Sequence, residues 1–426
     1  MARLLIKGGR VVSPADALDG ELDILIEGGT IRRIAPDLSA SADTVLDARG
    51  QIVSPGFVDL HVHFREPGDA ASETLHTGLA AAVAGGYTAV CPMPNTWPVI
   101  DRPELTQAMI EKARRLGLAR LFPIAAASVA SEGAQLADFQ ALKQAGAVAF
   151  SDDGRPIKTA ALLRHALEEA REVGARIIDH CEDPALSAGG SINAGPVAER
   201  LKLRGISNTS EEACVERDLE ICEATGGALH VAHLSTARAL RMVRAAKRRG
   251  VHVTCEVTPH HFALTEEAVE RSGANAKMNP PLRSAADREA ILEGLADGVV
   301  DAIATDHAPH APDRKTKPIA DAPFGVIGLE TALAVTLREL VHPGRISLAR
   351  MIELMSSAPA RLINQPLGGV KEGGPADLTI FDPDLEWTYS AADGRSKSRN
   401  SPFDGWKFRG AVTCTVVAGK IAYHRP

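Results

Sequence analysis

Residues 56–64 read GFVDLHVHF, a short β-prone run that closes on His61 and His63. Side chains of an extended strand alternate, so these two imidazoles project to one face. Seven more runs of the same texture follow: GYTAVCPMPN at 86–95, ARLFPIAAAS at 119–128, AVAFSDDG at 147–154, ARIIDHCED at 175–183, ALHVAHLST at 228–236, VHVTCEVTPHH at 251–261 and DAIATDHAPH at 301–310. Helix-length stretches rich in Ala, Leu, Arg and Glu lie between them, among them 103–117, 159–173, 236–249 and 285–297. Strands alternating with helices form βα units and a parallel sheet, and eight of them point to an α/β fold of the (β/α)8 barrel type. A doubly wound open sheet is the alternative.

The two ends of the chain differ from this middle. Residues 1–53 read as short strands with tight turns, Gly8-Gly9 and Gly28-Gly29 being able to supply positive φ, and the same texture returns over 366–426. The expected organisation is therefore a barrel over 54–365 and a small β-sandwich built from both ends.

At 426 residues the chain can bury a large core, with 45% apolar and 24% charged residues, ordinary values for a globular protein. Its formal charge of −7 offers no basic footprint for nucleic acid or anionic lipid, which leaves small molecules as the expected ligands. The six cysteines contain no CxxC pair and read as reduced thiols. The beginning, MARLLIKGGRVVS, is not a signal segment, and no run is long and apolar enough to span a membrane, so a cytoplasmic location is expected. No glycine-rich phosphate fingerprint marks a strand-to-helix turn, and a nucleotide cofactor is not indicated.

Chemically capable residues cluster at the C-terminal ends of the runs, where barrel enzymes place their sites. They are His61 and His63, Asn95, Asp153, His180, His233, His260 or His261, and Asp306. An isolated HxH pair can simply end a strand. With Asp153, His180, His233 and Asp306 ending four other strands, it becomes one wall of a divalent-metal site of the zinc type. Six candidate ligands exceed the needs of one four-coordinate ion. Two ions bridged by Asp153 fit, one held also by His61 and His63, the other by His180 and His233; a single ion remains open. Asp152 competes for the bridging place, but adjacent strand residues face opposite sides, and Asp153 lies nearer the loop.

The stretches DLHVHFREPG at 59–68 and ATDHAPHAPDRK at 304–315 resemble the two signature regions of dihydroorotases of the bacterial class I type, within the amidohydrolase superfamily. PMPNT at 92–96, FSDDG at 150–154, DHCED at 179–183, HLS at 233–235 and NPPLR at 279–283 extend the resemblance over essentially the whole chain. FSDDG contains no lysine, so the carboxylated lysine of many relatives is replaced by Asp153. The resemblance implies a zinc-dependent, reversible hydrolysis of (S)-dihydroorotate to N-carbamoyl-L-aspartate in pyrimidine biosynthesis. In that chemistry metal activates water and polarises the cyclic amide, and Asp306 carries the proton between water and ring nitrogen.

Something must also hold the substrate's carboxylate. Arg65, with its planar fork of donors, suits that task, and its bland alternative is a surface salt bridge to Glu66 or Asp69. The family resemblance adds Asn95 and His310 to the clamp, places His63 against substrate as well as metal, and assigns Asn279, Phe324 and Gly325 to the ring amides. A homodimer, or assembly with aspartate carbamoyltransferase, also accords with it. The polar, Pro-rich segment 311–325 reads as a mobile lid or as an ordinary surface loop. His76, His165, His230, His252, His342 and His424 read as structural or solvated, and the basic run RAAKRRG at 244–250 as a solvated helix end. Two other functions share these features. A hydantoinase or allantoinase has the barrel and the HxH pair but no carboxylate for Arg65, Asn95 and His310 to hold; a non-catalytic scaffold would lack metal ligands that are all present here.

Overall fold

A computed structural model describes residues 2–426. All eight expected runs form parallel strands. They are β1 (Phe57–Val62), β2 (Tyr87–Pro92), β3 (Arg120–Leu121 and Ile124–Ala126), β4 (Ala149–Ser151), β5 (Ile177–Asp179), β6 (Leu229–Val231), β7 (Val253–Val257) and β8 (Ala302–Ile303). Helices Pro103–Leu116, Ala160–Glu172, Ala237–Arg248 and Ala285–Ala296 lie within one residue of the expected bounds. The third strand breaks at Phe122-Pro123 because proline has no N–H for the ladder. Its first half pairs with β2 and its second with β4. Phe122 N–H still reaches the Val90 carbonyl and the Pro123 carbonyl still accepts from Val148, both at 3.0 Å.

Closure between β8 and β1 decides barrel against open sheet. Val62 bridges to His307, and His63 N–H donates to the His307 carbonyl at 2.8 Å. The buried Asp59 carboxylate latches the same seam, accepting from Thr305 Oγ1 at 2.6 Å and from the backbone N–H groups of Thr305 and His61 at 3.1 Å. The sheet is a closed barrel. Consecutive strand residues divide between two apolar clusters, as opposite faces require. Phe57, Val90, Phe150, Ile177, Val231 and Ile303 pack with the helices, whereas the smaller Ala89, Ala149, Ala232 and Ala302 join Val58, Leu60 and Ile178.

Both chain ends combine in one eight-stranded sheet. Strand Ile52–Pro55 runs antiparallel to Leu378–Thr388, with Val53 opposite Ile380. Leu4, Ile6, Ile24, Ile26, Val53, Ile380 and Val416 share its core. One expected turn is instead a bulge: Gly8, at φ +67°, shifts the register inside a single strand Arg3–Ser13. Gly28-Gly29 does make a hairpin turn. Between the last long strands the chain leaves this sheet and returns to the barrel. There Asn400 Nδ2 donates to the Ala308 and Gly325 carbonyls at 3.0 Å, and its Oδ1 accepts from His310 N–H at 3.1 Å. Among the described residues, no helix is long and apolar enough to cross a membrane.

Candidate active site

Six strand-end side chains meet inside the barrel mouth, all of them buried. Asp153 stands between two histidine pairs. Its Oδ1 lies 3.3 Å from His61 Nε2, 3.6 Å from His233 Nε2 and 3.7 Å from His180 Nδ1, and its Oδ2 lies 3.5 Å from His63 Nε2. Asp306 Oδ1 lies 3.1 Å from His63 Nε2 and 3.7 Å from His61 Nε2. His61, His63 and Asp306 form one group whose ligand atoms all lie within 4.8 Å of one another, and His61, Asp153 and His233 form another. His180 joins through its Nδ1, 2.9 Å from His233 Nε2. Asp152 turns away to accept from Ser128 N–H and Oγ.

The donor set fits a divalent metal. His61 Nε2 and Asp153 Oδ1 are buried with no hydrogen-bond partner, although both belong to this cluster. Burial alone would lift the two carboxyls; the surrounding imidazoles overcome it and hold Asp153 and Asp306 well below the usual carboxylate range. Anionic oxygens and imidazole nitrogens at mutual ligand distances are what a zinc-like ion uses. Arg65, His233 and Asp306 sit at φ values of +55°, +28° and +46°, so three site residues occupy strained left-handed backbone.

A second layer aims the ligands. Glu256, wholly buried on β7, accepts from His61 Nδ1 at 2.8 Å and thereby points Nε2 inward. Its other oxygen pairs with His230 Nε2 at 3.2 Å, and His230 Nδ1 meets Thr254 Oγ1 at 2.8 Å. Burial pushes the Glu256 carboxyl up, but His230 and His61 outweigh it and bring it down to about 2. Asn95 Oδ1 accepts from His63 Nδ1 at 2.9 Å and so fixes the tautomer that leaves Nε2 free. Glu182 Oε2 lies 3.1 Å from His180 Nε2 and accepts from Asn279 Nδ2 at 3.0 Å. Sequence reasoning missed Glu256 and Glu182; the one signal for Glu256 was an acidic residue inside an otherwise apolar run.

Arg65 lies half-buried at the mouth. Its Nε donates to the Pro309 carbonyl at 3.1 Å, and no carboxylate lies within salt-bridge distance among the described residues. Both bland partners are engaged elsewhere. Glu66 pairs with Lys112 and accepts from Leu75 N–H at the start of a helix, while Asp69 pairs with Arg314 at 2.9 Å. The paired N–H donors of Arg65 are therefore free for the charge-assisted hydrogen bonds that a guanidinium can make to an anion.

His310 Nε2 donates to the Phe324 carbonyl at 2.6 Å, and its buried Nδ1 has no partner. Burial, then the nearby Arg65 charge, lowers this imidazole to about 3, so it is neutral. Gly325 N–H donates to the Lys277 carbonyl, and its own carbonyl accepts from Asn400 and from Lys315 Nζ. The backbone at Gly325 has φ +127°, and an added Cβ would lie 2.7 Å from Ala308 Cβ, so only glycine fits. Segment 311–325 is anchored by Lys315 Nζ, which donates to the Lys277, Pro323 and Gly325 carbonyls at 2.9–3.2 Å. The structure thus brings Phe324, Gly325 and His310 together, with the polar groups of Gly325 already paired inside the protein.

The remaining histidines sort by contact. His261 is held by Thr258 and the Pro280 carbonyl, and His307 by Glu73 and Gly328 N–H. His260 is buried with Nε2 unpartnered, and burial lowers it to about 4. The basic run at 244–250 is paired outward, Arg244 to Asp297, Lys247 to Asp301 and Arg249 to Glu223.

Known proteins resemble this chain in sequence and in fold. The family model described as "Dihydro-orotase-like" matches residues 50–239. The dihydroorotase of Solibacter usitatus (strain Ellin6076) is 47% identical over 422 residues, covering 99% of this chain and 98% of that protein. The dihydroorotase of Anaeromyxobacter dehalogenans (strain 2CP-C) is 48% identical over 423 residues, with the same coverage of both. Among solved structures, the L-hydantoinase (dihydropyrimidinase) from Arthrobacter aurescens superposes with a TM-score of 0.88 at 27% identity, covering 99% of this chain and 96% of that one. The D-hydantoinase (dihydropyrimidinase) from Thermus sp. follows with 0.82 at 28%, with the same coverage.

Proposed function

The chain belongs to the dihydroorotase family, and we propose on that footing that it is a zinc-dependent dihydroorotase, opening (S)-dihydroorotate to N-carbamoyl-L-aspartate and closing the ring in the biosynthetic direction of pyrimidine formation. The observation that carries the substrate assignment is the unmatched Arg65 guanidinium, two residues beyond His63 on the same wall.

His61, His63, Asp153 and Asp306 would hold one ion, and His180 and His233, sharing Asp153, a second. When bound, metal supplies Lewis-acid polarisation of the amide carbonyl and an acidified water. The protein's own groups do the rest. Arg65 takes the substrate carboxylate in paired charge-assisted hydrogen bonds, with Asn95 and His310 beside it. That anchorage sets the scissile amide over the histidine and aspartate cluster, and Asn279 and the Phe324 backbone steady the ring, on a turn that only Gly325 can make. Asp306, ionised because the imidazoles hold its carboxyl low, accepts a proton from the attacking water and returns it to the departing ring nitrogen. In ring closure the same carboxyl works in reverse. Glu256 acts through His61 and is a positioning residue.

The solved structures of the same shape are hydantoinases, which makes a hydantoinase-type activity the second reading. A hydantoin need present no carboxylate, which leaves Arg65 without a purpose in that reading. Purified protein should therefore cyclise N-carbamoyl-L-aspartate, lose that activity on chelation and regain it with zinc. Chelation-insensitive turnover, or hydrolysis of hydantoin alone, would overturn the proposal.

A further inference from the structure

Behind the β5 tip lies a second set of potential ligands that the catalytic reading leaves unused. Asp179 and Cys181 stand i, i+2 at the end of β5, and Cys214 and Asp218 stand i, i+4 on the helix Asn208–Thr225. Both spacings put the pair on one face of its element. The four side chains converge with ligand atoms all within 4.8 Å of one another, and Asp179 and Asp218 are 0% exposed. Asp218 Oδ2 lies 3.3 Å from Cys181 Sγ and 3.7 Å from Cys214 Sγ. Asp179 Oδ1 accepts from Ile157 N–H at 2.8 Å, but its Oδ2 is buried without a hydrogen-bond partner.

We infer that Asp179, Cys181, Cys214 and Asp218 form a second, structural metal site that takes one thiolate-preferring divalent ion of the zinc class. Two wholly buried carboxyl groups side by side either share a proton or take a cation between them. Arg217 supplies one charge, with Nε donating to Asp218 Oδ1 at 2.7 Å and Nη2 at 3.6 Å from Asp179 Oδ2. The orphaned oxygen and two adjacent thiols mark what Arg217 leaves unmet. Two sulfurs and two oxygens suit a tetrahedral ion of borderline softness, and magnesium or calcium would reject the sulfurs. Arg217 Nη2 also donates to Cys214 Sγ at 3.4 Å, the kind of contact that steadies a ligated thiolate. Cys214 and Arg217 border a cavity of about 480 Å³, which gives an ion a way in. Since Cys181 lies between His180 and Glu182, an ion here would clamp the strand tip that presents His180.

Cobalt loading of the full-length metal-free chain tests the site. The catalytic set offers only nitrogen and oxygen, so a sulfur-to-cobalt charge-transfer band in the near ultraviolet reports this cluster alone. The band should develop to one equivalent per chain in the unsubstituted protein, weaken in Cys214→Ser and vanish when Cys181→Ser is added to it. Absence of the band in the unsubstituted protein, or its survival in the double variant, overturns the site. Should that variant fail to fold, zinc-edge X-ray absorption of the unsubstituted protein decides: a sulfur shell supports the site, and nitrogen and oxygen scatterers alone refute it.

Discussion

Replacing Arg65 by alanine separates recognition from folding. The side chain makes one hydrogen bond to the rest of the protein, Nε to the Pro309 carbonyl at 3.1 Å, so its loss should cost the fold only about 1 kcal/mol. In the proposed complex the same guanidinium would face a carboxylate away from water, and removing one partner of such a pair costs about 3–5 kcal/mol. At 1.4 kcal/mol per tenfold, kcat/KM for dihydroorotate should fall by roughly two to three and a half orders of magnitude. Steady-state kinetics in both directions, read beside thermal unfolding, give the answer. The loss should sit mainly in KM, since the contact holds ground state and transition state alike. Arg65→Lys should recover only part of it, because an ammonium cannot offer the paired fork. Activity within about threefold of the parent would refute the clamp, and so would a fall in Tm that accounts for the whole loss.

Asp306→Asn should keep the fold and most of the metal while kcat drops by about 10²–10⁴ in both directions, as for loss of a proton-transfer group; near-normal turnover would remove Asp306 from that role. Glu256→Gln, whose carboxylate holds His61 Nδ1 at 2.8 Å, should weaken metal retention by roughly 10–100-fold in chelator competition, and unchanged retention would show that His61 needs no such support. Glu330 gives a pH prediction. Burial pushes its carboxyl up from 4.5 to about 7, so the folded state holds a proton that the unfolded chain has released, and stability falls as pH rises through that interval. Glu330→Gln keeps an acceptor for the Arg395 and Ser396 N–H groups and should stabilise by up to about 3 kcal/mol above pH 8 and by nothing below about pH 4. A pH-independent difference in denaturant melts would contradict this.

Residues readable from the chain were those whose spacing carries direction. His61 and His63 share a face because strands alternate; the same parity lets only one of Asp152 and Asp153 face inward, nearness to the loop favours Asp153, and Asp152 instead holds Ser128. Residues that were invisible depend on distant partners. Glu256 meets His61 across 195 positions, and Asn400 ties down His310 across 90, from within the end of the chain that reads as β-rich. No local pattern encodes such meetings; only barrel closure brings them about. Strand count was legible for the same reason that register was not. Apolar runs announce the elements, whereas the register shift beside Gly8, at φ +67°, shows only in the pairing of one strand with the next. Glu66, without a role in sequence, accepts from Leu75 N–H at a helix start and holds Lys112, which leaves it unpaired with Arg65.

The measurement closest to the central claim is the ratio of kcat/KM for dihydroorotate to that for its analogue lacking the carboxylate, made on the zinc-loaded chain purified alone. With Arg65 as the selecting group, the ratio should exceed about 10² and collapse toward unity in Arg65→Ala. Comparable turnover of both compounds by the unsubstituted chain would contradict the account.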